Sequence, residues 1–279
     1  MVFKILYFNN CIIIDTDFLF IILWRGNMSY NDASRLNLYD FMGFPDRQKR
    51  DEALQICDIN KLNLMQVEDN YLRFFDTFLE RYSVWCYHIN NFRSHLWTHF
   101  LLMYYQYSQN PLDIIDLRRF QSPEAAHKTF FDTFAEDVAL YSISYFDKHL
   151  EMFNDLYDLK KLPGKKGNLN RYEIIKEMKK VEVLKELAYE YQRIVQSDAF
   201  YQILNIRKFF VHNKSLSYYG MEVTKVGPGT YASGNSDGIS TELVYKSVCE
   251  LLRSYVQLCE HVNTFINARV ESSKLEKSE

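Results

Sequence analysis

At 279 residues the chain is long enough for one large or two modest domains around a sizeable core. A hydrophobic share of 47% with 25% charged residues is that of a globular protein, and a net charge of −3 excludes wholesale electrostatic attraction to nucleic acid, though not a local basic groove. The 21 Tyr and 21 Phe set against 9 Gly and 5 Pro favour long helices packed through large rings.

The opening stretch MVFKILYFNNCIIIDTDFLFIILWRGN has apolar runs broken by Asn9, Asn10, Asp15 and Asp17. Its longest unbroken run, FLFIILW, is far short of the roughly 20 residues that cross a bilayer. It also lacks the basic start and small-residue cleavage site of a secretion signal. No membrane association is expected. The stretch reads as a buried strand or a short helix, and Met28 is an alternative start to Met1, so residues 1–27 are set apart as an apolar extension.

From Asn31 onward the apolar residues recur with helical period. The pattern predicts a helix over Arg47–Ile59 and a long one over Asn63–Ser108, with a break near HINNF (88–92). SQNPLD is a loop, so residues 28–115 form an N-terminal helical region. A second helical domain then covers 116–279. Its first long helix starts with Ser122 as N-cap, Pro123 at N1 and Glu124 in the first turn, and runs to about Lys161, where LPGKKGN stops it. A charge-laced helix follows over 170–198, then the segment ILNIRKFFVHNKS. The Gly-rich tract 220–240 reads as a hairpin or loop, and an amphipathic helix over Thr241–Val270 closes the chain.

The five cysteines are odd in number and without CxxC spacing, and Cys249 and Cys259 sit about 15 Å apart along one predicted helix. Free buried thiols in a reducing cytoplasm are the expectation, with neither zinc nor another cofactor. His95 and His99 are one helical turn apart and so able to share a metal, but no carboxylate stands at matching spacing. VGPGTYASG lacks the GK[ST] of a phosphate loop.

Chemistry concentrates at 203–215. On a helical wheel Ile203, Ile206, Phe210 and Val211 form an apolar arc widened by Leu204 and Phe209, and Arg207 falls inside it. A guanidinium does not shed its charge, so it demands acceptors there: a carboxylate, a helix C-terminus or a bound phosphate. His212 shares the narrow polar face with Lys208. It stands about 140° from Arg207, so one straight helix does not aim both at one target. Either the helix ends near His212 or a second copy supplies the other half. A structural ion pair plus a carbonyl-capping histidine is the plain alternative.

IRKFFVHNKS resembles the signature of the HEPN superfamily, an Arg followed after four to six residues by His. ISYFDKHLEMFND (143–155) resembles the first helix of such domains, where a charged residue faces the Arg–His pair. The resemblance covers roughly 116–270. Lys208 departs from the short polar residue often found after the Arg, and Lys214 stands where some members carry a modifiable Tyr. The resemblance implies an all-α, HEPN-like helical bundle preceded by additional N-terminal helices, and a homodimer. It also implies a metal-independent endoribonuclease acting on RNA through Arg207 and His212, with Asp147 facing them; that chemistry would use Asn213 to orient His212 or donate to the phosphate, and Lys208 and Lys214 to hold substrate phosphates. A cytoplasmic toxin or antiviral-defence role, with an antitoxin or defence-system partner, is implied in the same way. The alternative is a non-catalytic HEPN-like module binding a nucleotide, RNA or a protein.

Overall fold

A computed structural model describes residues 4–8, 11–16, 19–24, 47–67, 77–111, 123–159, 170–211, 221–227, 230–235 and 240–275. The chain divides into two compact units, 1–46 and 47–279. In the first, β1 (Lys4–Phe8), β2 (Cys11–Thr16) and β3 (Leu19–Trp24) form an antiparallel sheet in the order β1-β2-β3. Lys4 pairs with Asp15 and Ile13 with Ile22. Of the two readings open for this stretch, the strand is the one realised. Runs of β-branched Ile broken every six or so residues by Asn and Asp make short strands and turns rather than a helix.

The second unit is built on helices: α1 (Arg47–Ile56), α2 (Thr77–Ser108), α3 (Pro123–Leu156), α4 (Arg171–Met178), α5 (Lys185–Val195), α6 (Asp198–Val211) and α7 (Thr241–Leu275). Among its described residues this body is all-α apart from one hairpin, β4 (Met221–Gly227) with β5 (Thr230–Asn235), whose register shifts between Lys225 and Gly227. The most extensive helix pair is α2 on α3, and α6 and α7 close over α3. Helix α3 is the central rod. Val138, Ile143, Phe146, Leu150, Phe153 and Leu156 are all buried, and so are Tyr145 and Met152 beside that arc.

Large rings fill the centre. Phe146 meets Phe200 at 5.0 Å and Tyr191 at 5.5 Å between centroids, both edge-on, and Phe153 meets Tyr191 at 6.0 Å. Edge-to-face contact aligns ring edges with ring faces and adds to the area these rings bury. Their hydroxyls are satisfied: Tyr145 donates to Leu62 O (2.7 Å) and Tyr255 to Ser142 O (3.0 Å). Between α2 and α7, Tyr107 stacks on Tyr245 at 3.7 Å. Cys57, Cys86, Cys249 and Cys259 are free and buried, and burial pushes the Cys57 and Cys259 thiols up to about 12.

Three expected boundaries change. Residues 63–67 are not helical, and α2 begins at Thr77 and passes unbroken through HINNF. Asn90 looks outward from the helix instead of breaking it: its side chain accepts from Leu64 N (2.9 Å) and donates to Leu64 O (3.1 Å). Asn263 of α7 does the same from the other side, to Met65 N and Asn63 O, both at 2.8 Å. A strip of backbone tucked between helices thus keeps its hydrogen bonds. The expected helix 170–198 is two helices with a 3₁₀ turn, Glu182–Leu184, between them. In an unbroken helix the positions above buried Met178 would be Val181, Glu182 and Lys185. The turn re-phases the chain so that Leu184, Leu187 and Tyr191 reach the core instead.

Candidate functional site

Three helices converge on one half-buried cluster of charge. Helix α3 carries Asp147 beside buried Phe146, which seats it at the rim of the core rather than in open solvent. Helix α4 begins with Arg171, directly after its N-cap Asn170, whose side-chain oxygen accepts from Glu173 N at 3.3 Å. That cap fixes where the first residue of α4 points. Helix α6 starts beyond Ser197, whose hydroxyl accepts from Phe200 N at 3.2 Å, and carries Arg207 in its third turn. Ala199, Phe200, Ile203 and Ile206 hold α6 on the core and pull Arg207 down with them.

Arg171 takes the carboxylate with both arms: Nε donates to Asp147 Oδ1 at 2.6 Å and Nη2 to Oδ2 at 2.8 Å. Its guanidinium carbon also stands 5.7 Å from the centre of the Phe200 ring, so an aromatic face backs the fork. Arg207 comes second to the same acid. Its Nη1 lies 3.8 Å from Oδ2, an ion-pair contact too long for a hydrogen bond. The side chain of Arg207 is 29% exposed, against 18% for Arg171 and 16% for Asp147. Its Nε is buried with no hydrogen-bond partner among the described residues. Burial pushes the Arg207 pKa down from its ordinary value, Asp147 opposes that push, and Arg171 adds to it. Two fixed positive charges therefore share one negative one, and the less satisfied of the two is the more exposed.

Of the residues singled out in the sequence, Asp147 and Arg207 meet here and Lys208 stands exposed on α6. His212, Asn213 and Lys214 lie outside the described residues. Arg171 carries no motif and was not singled out. The one available signal was its place just after Asn170, at a helix start that returns the chain to α3 from the LPGKKGN segment.

Two histidines of α2 pack against an aromatic ring. His95 and His99 stack on the Tyr141 ring at 5.2 and 5.1 Å, and His99 Nδ1 stands 3.1 Å from Asp137. Among the described residues no group of three or more His, Cys, Asp or Glu is arranged to hold a metal ion. No described helix is long and apolar enough to cross a membrane. A further histidine, His149 on α3, is fully buried: Nδ1 lies 3.1 Å from the Tyr191 hydroxyl, and burial pushes its pKa down to about 3. It is a neutral core residue.

A family model described as Cthe2314-like HEPN matches residues 85–270. The match takes in most of α2 as well as α3 to α7, reaching further toward the N-terminus than the resemblance over 116–270, and it contains Asp147, Arg171 and Arg207. No curated protein and no solved structure matched the chain.

Proposed function

The chain belongs to the Cthe2314-like HEPN family, and we propose on that premise that it is a metal-independent endoribonuclease whose working residues are Arg207 and His212. The observation that carries this reading is the division of Asp147. A purely structural arginine would close its hydrogen bonds on the nearest carboxylate, whereas here Arg171 occupies that carboxylate and the partly exposed Arg207 makes only a 3.8 Å ion-pair contact with it. A half-buried guanidinium with no hydrogen bond to its acid among the described residues suits an anion that arrives from outside, and a phosphodiester supplies one.

RNA brings its own nucleophile, the 2′-hydroxyl, so the protein needs only to move protons and stabilise charge. His212 takes the proton of the 2′-hydroxyl or gives one to the departing 5′-oxygen, since an imidazole titrates near neutrality. Arg207 offsets the charge that gathers on the non-bridging oxygens as the phosphorus becomes five-coordinate. Asn213 orients His212, Lys208 and Lys214 hold flanking phosphates, and Asp147 holds the arginines through its charge. With two copies about a two-fold axis, one histidine serves as base and the other as acid, which answers the 140° between Arg207 and His212 on one helix. A cytoplasmic toxin or defence role, with a neutralising or activating partner, belongs to the same proposal.

The test is cleavage of end-labelled mixed RNA in EDTA by wild type and His212→Ala. Wild type leaves 2′,3′-cyclic phosphate ends, and the substitution lowers the rate by roughly a hundredfold to ten-thousandfold. Equal cleavage by both would remove His212 from the mechanism. RNA binding without cleavage by either would leave a non-catalytic module.

A further inference from the structure

Arg171 is the best-anchored member of the cluster, and nothing in the Arg–His chemistry uses it. It holds both oxygens of Asp147, at 2.6 and 2.8 Å, and packs over Phe200. Without that fork, Asp147 would present two open acceptor oxygens to the Arg207 guanidinium, whose Nη1 is already 3.8 Å away. The shift needed to close that gap is about 1 Å when judged against an ordinary charged hydrogen bond of about 2.8 Å. Arg207 would then spend its donors inside the protein.

We infer that Arg171 is a positioning residue: by occupying Asp147 it keeps the donors of Arg207 open for a substrate phosphate. Its catalytic consequence rests on the ribonuclease reading, but its structural half does not. On the simplest expectation a second arginine near a phosphate site helps by touching the phosphate. Arg171 acts through Asp147, and loss of its charge harms the site only while Asp147 can answer by capturing Arg207.

That sign is testable with Arg171→Gln and the double variant Arg171→Gln/Asp147→Asn. The first readout is the side-chain Nε–H resonance of Arg207 in the ligand-free protein, assigned by its disappearance in Arg207→Lys. It shifts on Arg171→Gln as the guanidinium closes on the carboxylate through Nη1, and returns toward its wild-type position in the double variant. The second readout is RNA cleavage in EDTA, where Arg171→Gln loses roughly tenfold or more in kcat/KM, the size of one charge-assisted hydrogen bond. The double variant recovers part of that loss. Arg171→Lys, which keeps the charge but not the fork, gives an intermediate shift if Arg171→Gln folds poorly. An Arg207 resonance unmoved by loss of Arg171 overturns the proposal. So does a cleavage loss that Asp147→Asn deepens, because Arg171 would then be a direct phosphate ligand. If wild type cleaves nothing, the resonance still decides the positioning claim, and the ribonuclease reading fails by itself.

Discussion

Lys128 and Arg207 are both cations drawn against a carboxylate of α3, one near each end of the rod, and the protein treats them differently. Lys128 is almost wholly buried, and its Nζ sits 2.5 Å from Asp132, one turn along the same helix and fully out of water. Arg207 reaches its acid from another helix, at 3.8 Å, after Arg171 has taken the good geometry, and stays partly exposed. The first arrangement is closed: its bond is made and nothing from outside can reach it. The second is open. It lowers the cost of half-burying a guanidinium without satisfying it, and a site that must receive an anion needs that condition. A cation near a carboxylate is thus not one kind of feature, and distance with exposure tells the two apart.

The contrast is broken most severely at its closed end. Lys128→Ala leaves Asp132 buried without its lysine, and the expected cost is about 3–5 kcal/mol. Urea unfolding measures it, and the folded fraction should cleave RNA at the wild-type rate. Wild-type stability in this variant would mean the closed pair contributes as little as a surface one. A smaller effect comes from His149, which lies in the core two residues past Asp147 on α3 and is held neutral, with its pKa at about 3. Its folded pKa is depressed below the unfolded value of about 6.5, so its share of stability is present above that value and is lost as the pH falls toward 3. The loss reaches up to about 2 kcal/mol by pH 5. Thermal melts at pH 7 and pH 5 should show it, and His149→Gln should flatten the difference. An unchanged slope in His149→Gln would place the acid sensitivity elsewhere. The smallest effect belongs to the open end: Lys208 is exposed, and Lys208→Ala should weaken RNA binding only a few-fold while lowering the salt dependence by about one counterion. Filter binding across a salt series reads both.

Much of the helical body was legible in the sequence because its signals are local. Pro123 and Glu124 mark the start of α3, LPGKKGN lies just past its end, and the period of Thr241 onward gives α7. Asn90 misled for a physical reason: a polar dipeptide inside an aromatic helix resembles a breaker until the Leu64 backbone it serves is in place. The split between α4 and α5 was hidden because salt-bridged residues at helical spacing run through it, and only the phase of the apolar residues betrays the turn. At the site, Arg207 stood out as a charge inside an apolar arc, and Asp147 as an acid at the margin of another. Arg171 did not, because its role comes from a contact across 24 residues of sequence that no periodicity records.

The most direct test of the open-site account is Arg207→Ala, with kcat/KM on RNA measured in EDTA and the melting temperature measured beside it. The account predicts a loss of about a hundredfold or more in kcat/KM, the scale of removing a donor that stabilises developing charge. The melting temperature should hold within a few degrees, since a half-exposed ion pair contributes about 1 kcal/mol or less. Near wild-type cleavage, or a collapse of stability in its place, would show that Arg207 is a second Lys128 and that the cluster on α3 holds the fold together rather than a phosphate.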